Sequence, residues 1–158
     1  MFLPTTPVVL APTDQVGRFF TGREVYVGYA KHNLPLPLVS PPTLANIMRH
    51  TSDLLDPWRL MIGPVTVNSW FRTKELNRLV YGSHTSLHLE GLATDCVPLK
   101  MPLLLAFEKL RLSDLPYDQI IIYPARGFIH VGSCASSGTP RRMALISTQD
   151  KKYAPYPA

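Results

Sequence analysis

The sequence predicts an α+β fold, a small antiparallel sheet with helices packed on one face, and three observations carry that expectation. Apolar residues recur at helical spacing in some segments and alternate or run as short β-branched stretches in others. Turn residues separate the two kinds of segment. The chain has 158 residues, enough for one domain with a real core. Helices lying against one face of such a sheet are the usual α+β arrangement.

The elements follow in order. Ser40 or Thr43 caps a helix from Leu44 to about Leu60, in which Leu44, Ile47, Met48, Leu54, Leu55 and Trp58 form a core stripe. Pro57 predicts a break or kink late in that helix. Pro64 to Val67 alternates as a strand, and Thr73 to Val80 reads as a short helix ended near Gly82. Leu92 to Val97 is a short buried strand that begins after Gly91. Pro102 to Leu110 is a helix with proline in its first turn. Strands at Gln119–Tyr123, Phe128–Gly132 and Arg142–Ile146 complete the sheet, and Gly127 turns the chain between the first two.

One stretch carries chemistry. Ser86-Leu-His88-Leu-Glu-Gly91-Leu-Ala93-Thr-Asp95 is answered downstream by Phe128-Ile-His130-Val. Alternation puts Ala93 and Asp95 on one face of their strand and His130 with Phe128 on one face of theirs. Pairing of these strands would set Asp95 beside His130, with His88 entering from the preceding loop. Gly91 lets that loop turn tightly, and Ala93 leaves room. A single histidine in an apolar run is more often a core or surface residue than a ligand. Two histidines and one carboxylate that converge make three ligands for zinc (Zn2+) and leave the fourth position open, as catalytic zinc sites do. His32, His50 and His84 lie outside the pattern.

These residues resemble the zinc D-alanyl-D-alanine carboxypeptidase family, which includes phage-encoded peptidoglycan endopeptidases. The resemblance runs from about Leu44 to about Ile146, best over Pro64 to Asn77 and the zinc motif. The family's Ser-Gly-Tyr-Arg segment stands here as Ser69-Trp70-Phe71-Arg72. The resemblance implies the fold of that Hedgehog/D-Ala-D-Ala peptidase-like group, with His88, Asp95 and His130 as zinc ligands. Arg72 is implied as the residue that binds the substrate carboxylate or the oxyanion, a task that suits its planar fork. Beside these, Ser86 and Tyr123 are candidate substrate-binding residues, Tyr123 toward the oxyanion and not as a base. Relatives carry an acidic residue a few positions before the last histidine, but no Asp or Glu lies between Gln119 and His130, and Tyr123 stands where the acid is expected. Asp118 is the candidate catalytic base, with capping of its strand as its other role. Glu90, or a chain of weak or no activity, are the alternatives.

The implied activity is hydrolysis of bacterial cell wall peptides, either removal of D-alanine or cleavage of cross-bridges, in phage lysis or wall penetration. A peptidase-like structural or wall-binding protein of a virion is the competing expectation. The net charge of +5 points to an anionic partner. Peptidoglycan peptides fit, with virion proteins as further partners. The basic residues are scattered, without the basic helix or aromatic interleaving of a specific nucleic-acid binder. There are 16 prolines, about twice the usual share, concentrated toward both ends. Residues 1–40 are therefore read as a Pro-rich N-terminal arm, 41–148 as the zinc peptidase-like domain and 149–158 as a C-terminal tail, the end segments running extended. The opening lacks the basic start of a signal peptide, and no run reaches transmembrane length. The expected location is the host cytoplasm with delivery to the periplasm or cell wall by other means, or the virion. Cys96 and Cys134 are expected to be reduced, buried and near one another.

Overall fold

The computed structural model describes residues 4–135, 138–149 and 152–157. The first three residues of the expected arm, and residues 150, 151 and 158 of the expected tail, lie outside the described residues. The architecture is α+β. Helices α1 (Gly22–Val25), α2 (Pro41–His50) and α3 (Asp56–Ile62) precede strand β1 (Val65–Ser69) and helix α4 (Lys74–Leu79). Strand β2 (Ala93–Pro98), helix α5 (Leu103–Arg111) and strands β3 (Gln119–Tyr123), β4 (Phe128–Gly132), β5 (Met143–Gln149) and β6 (Lys152–Pro155) follow. The strands form one six-stranded sheet in the order β1-β2-β4-β3-β5-β6.

The sheet is mostly antiparallel, with one exception to the expectation: β3 and β5 run parallel. Parallel neighbours need a crossover, and here β4 supplies it, lying antiparallel to β3 before the chain passes to that strand's other side. Asp118 pins the crossing. Its carboxylate accepts from the backbone N–H of Arg141 at 2.9 Å and from the Arg141 guanidinium at 2.6–3.1 Å. Its carbonyl accepts from Met143 N at 2.9 Å.

One face of the sheet is core. Thr94 and Cys96 of β2, Ile120 and Ile122 of β3, and Ile129 and Val131 of β4 are buried. Beneath them lie Ile47, Leu54, Leu55 and Trp58 of the long helical segment and Phe107 and Leu110 of α5. Ser40 is the α2 cap, its hydroxyl accepting from Thr43 N. Pro57 does not break this segment. A π-helical turn, Thr51–Leu55, precedes it, and Pro57 falls in the first turn of α3, where a missing N–H is harmless. The stripe read from the sequence therefore stays on one side.

The proline-rich ends carry regular structure. Residues between Val8 and Val39, the ends of an isolated bridge, fold back over the domain and bury Leu10, Val16, Phe20, Tyr26 and Tyr29. Asp56 accepts from Arg18 N and Phe19 N at 2.6 and 3.3 Å, fixing that turn. At the other end, β6 pairs with the outer side of β5, and the Tyr156 ring packs on Phe107 at 4.8 Å. Prolines are spaced so that apolar residues between them still reach the core, and Pro155 sits on an edge strand, where its lack of a donor is tolerated. Cys96 is buried and Cys134 half-buried, both as free thiols. Among the described residues no helix is long and apolar enough to cross a membrane.

Candidate metal centre

Strand register builds the site. Ser69 is opposite Asp95, Asp95 opposite His130, His130 opposite Ile121, and Ile121 opposite Leu145. These residues form one row across five strands, on the face turned away from the helical core. The cleft above the row has a volume of about 1130 Å³. His88 joins from a 3-10 turn, Leu87–Glu90, rather than from irregular loop. Gly91 closes that turn with φ of 73°, and a Cβ there would come within 2.6 Å of Ile47 Cγ1, so only glycine fits. Trp70 Nε1 donates to the Gly91 carbonyl at 3.1 Å, and Arg72 N donates to the His88 carbonyl at 3.0 Å. The segment after β1 is thereby tied to the turn that bears His88.

The imidazole nitrogens of His88 and His130 and the Asp95 carboxylate lie within 4.8 Å of one another. Asp95 Oδ1 is 3.3 Å from His88 Nε2 and 2.8 Å from His130 Nδ1. His88 Nδ1 is 2.7 Å from the Trp70 carbonyl, which only accepts, so Nδ1 holds the proton. Nε2 then turns a lone pair toward an anionic oxygen. That opposition is relieved by a cation between them, and a neutral imidazole braced by a backbone carbonyl is the usual form of a zinc-ligating histidine. The donor set fits zinc.

Burial alone would raise the Asp95 carboxyl, but His88 and His130 beside it hold it well below the usual carboxylate range. Burial pushes the His88 imidazole down against the pull of Asp95. Arg72 Nη2 donates to Asp95 Oδ2 at 3.1 Å and its Nε to Ser69 Oγ at 2.8 Å, which leaves its Nη1 donors for a ligand.

The other residues singled out by sequence divide. Ser86 and Tyr123 line the cleft. Tyr123 stacks on Phe128 at 4.3 Å and its hydroxyl lies 3.3 Å from that of Tyr153; burial, then this bond, raises its phenol. The Asp118 carboxylate is turned to Arg141 and held below its ordinary range by that partner's hydrogen bonds. Glu90 is exposed and outside the cleft lining. Among the described residues that line the cleft, Asp95 is the only carboxylate. Sequence reading missed Tyr153 and Arg126, which also line it. Tyr153 reaches the cleft only through the β5–β6 pairing, for which no local motif exists.

His50 lies under the site on the core side. Its Nδ1 is 2.7 Å from Ser133 Oγ and its Nε2 3.3 Å from Thr94 Oγ1. Burial, reinforced by His130 and His88, pushes its imidazole down to about 3. Below pH ~6.5 the unfolded chain takes up a proton that the folded one refuses until about 3. Stability is therefore intact above pH ~6.5 and falls as the pH drops from there, by at most ~1.4 kcal/mol per pH unit from this group. Denaturant midpoints of the chelated chain at pH 7 and pH 5 are expected to differ in that direction, and His50→Gln is expected to shrink the difference. Equal midpoints in the unsubstituted chain would refute this.

Comparison with known proteins agrees with the geometry. A family model described as Peptidase M15 matches residues 28–132, a span that contains all three candidate ligands and Arg72. No curated protein matches the chain.

Proposed function

The chain belongs to the peptidase M15 family, zinc peptidases of the D-alanyl-D-alanine carboxypeptidase type, and from that premise we propose that it hydrolyses peptide bonds of the bacterial cell wall. The observation that carries this reading is the braced His88, Asp95 and His130 set at the floor of an open cleft. When bound there, zinc supplies Lewis acidity toward a carbonyl and a water acidified to about neutral pH.

The chain's own residues do the rest. His88 stays in the required tautomer through the Trp70 carbonyl. Arg72, held by Ser69 and Asp95, presents its remaining N–H groups to a substrate carboxylate or to the developing oxyanion. Tyr123 occupies the wall where relatives place an acid, and its hydroxyl donates to that of Tyr153. Asp118 serves as the pin of the β3–β5 crossing rather than as base, because Arg141 already occupies its carboxylate. A general base contributes on the order of 10²–10⁴ in rate, so turnover is expected to be slow for a peptidase. Phage lysis or wall penetration is the setting we propose.

That Asp95 is the only carboxylate among the described residues lining the cleft also favours a second reading, a peptidase-like wall-binding protein that holds the metal without turnover. Mass spectrometry of muropeptides after incubation with the zinc-loaded chain separates the two. New cleavage products that vanish on chelation and return with zinc are the expected result. Tight wall binding with no product at any zinc concentration would establish the second reading instead.

A further inference from the structure

The wall that replaces the acid has a composition of its own. Tyr123 and Phe128 are Cα partners, each two residues along its strand from the metal row, Tyr123 from Ile121 and Phe128 from His130. They share the cleft face and lie roughly 7 Å along the strands from the row. Arg126, in the turn between β3 and β4, lies over both rings, with its guanidinium carbon 5.8 Å from the Tyr123 centroid and 5.2 Å from that of Phe128. Arg126 is in no ion pair among the described residues. The Tyr123 hydroxyl donates to the Tyr153 hydroxyl, which leaves the Tyr153 O–H as a donor. Stacking fixes a guanidinium with little further loss of freedom when it binds a ligand.

We infer that Arg126, Tyr123 and Tyr153 form an anion subsite that takes a side-chain carboxylate of the substrate, making the chain selective for acidic peptides. The inference rests on the peptidase reading and adds to it which peptides are taken. An extended peptide advances about 3.3–3.6 Å per residue, so the carboxylate belongs to a residue one or two positions from the scissile bond. Arg126 supplies the charge, the Tyr153 hydroxyl a second donor, and Tyr123 the surface on which both are held. Tyr153 lies beyond the family-matched span of residues 28–132, so this chain's own tail supplies part of the selectivity.

The test uses the full chain, freed of metal so that binding is read without turnover. Two acetylated alanine tetrapeptides serve as probes, one with a single internal glutamate and the other with glutamine in its place. Calorimetric titration is expected to show the glutamate peptide bound about tenfold more tightly, the value of one charge-assisted hydrogen bond. The preference should disappear in Arg126→Ala, survive in part in Arg126→Lys and weaken in Tyr153→Phe. Equal affinity for the two peptides, no binding of either, or a preference that persists in Arg126→Ala overturns the inference. Muropeptide hydrolysis by the zinc-loaded chain is followed separately. Hydrolysis without the glutamate preference sinks the subsite and spares the peptidase, whereas the preference without hydrolysis does the reverse.

Discussion

Replacing His88 with alanine is expected to abolish zinc-dependent hydrolysis and to weaken zinc binding by more than about 100-fold. The bound rests on a comparison: losing only the partner that orients a metal-ligating histidine costs 10–100-fold, and here the ligand itself is removed. His88 is 3% exposed, so the change also opens a buried space and leaves the Trp70 carbonyl without its donor. That orphaned acceptor costs about 1–3 kcal/mol, so zinc affinity has to be measured on protein shown to be folded. Competition with a chromophoric chelator, with circular dichroism as the check on folding, gives the answer. Stoichiometric zinc at unchanged affinity in His88→Ala would mean that the ion sits elsewhere, and the metal centre described above would be lost.

The second large effect is expected at Trp70. This ring is fully buried, meets Phe20 edge-on at 5.7 Å and His50 at 6.0 Å, and holds the Gly91 carbonyl through its indole N–H. Its backbone carbonyl in turn fixes the His88 tautomer. Trp70→Ala is expected to destabilise the chain by about 3–5 kcal/mol. Trp70→Phe keeps most of the volume but strands the Gly91 carbonyl, and about 1–3 kcal/mol is expected. Urea midpoints give these values, and zinc affinity in Trp70→Phe should fall with stability because the turn that bears His88 loosens. A loss below ~1 kcal/mol in Trp70→Ala with unaltered zinc affinity would show that this ring does not brace the centre.

Most of the candidate metal centre was legible in the sequence, because the determinants of its geometry are local. Strand alternation puts Asp95 and His130 on definite faces, Gly91 marks a turn that only glycine makes, and Arg72 follows its aromatic pair at fixed spacing. What escaped was long-range. The parallel pairing of β3 with β5 depends on where the chain goes after Gly132, and nothing in the residues of β5 encodes direction. Pro57 was legible as a proline but not as one that a π-helical turn absorbs, since that depends on the core packed around it. The proline content of the ends concealed Tyr29, Phe20 and Tyr153, whose roles come from contacts with residues far along the chain. Asp118 reads in the sequence as a candidate base or as a cap of its strand, and no local signal announces the arginine that donates to its carboxylate.

The row across the sheet also distributes robustness unevenly. Asp95 and His130 stand on β2 and β4, each hydrogen-bonded to strands on both sides, whereas Tyr153 stands on β6, the last strand, held along one side only. Segments held by fewer contacts open at lower free energy than the centre of a sheet. Warming is therefore expected to fray the Tyr153 rim of the cleft while the His88, Asp95 and His130 cluster is still closed. Amide protons of β6 are expected to exchange with solvent before those beside Asp95 and His130. Heating is therefore expected to open the Tyr153 side of the cleft before it opens the candidate metal centre.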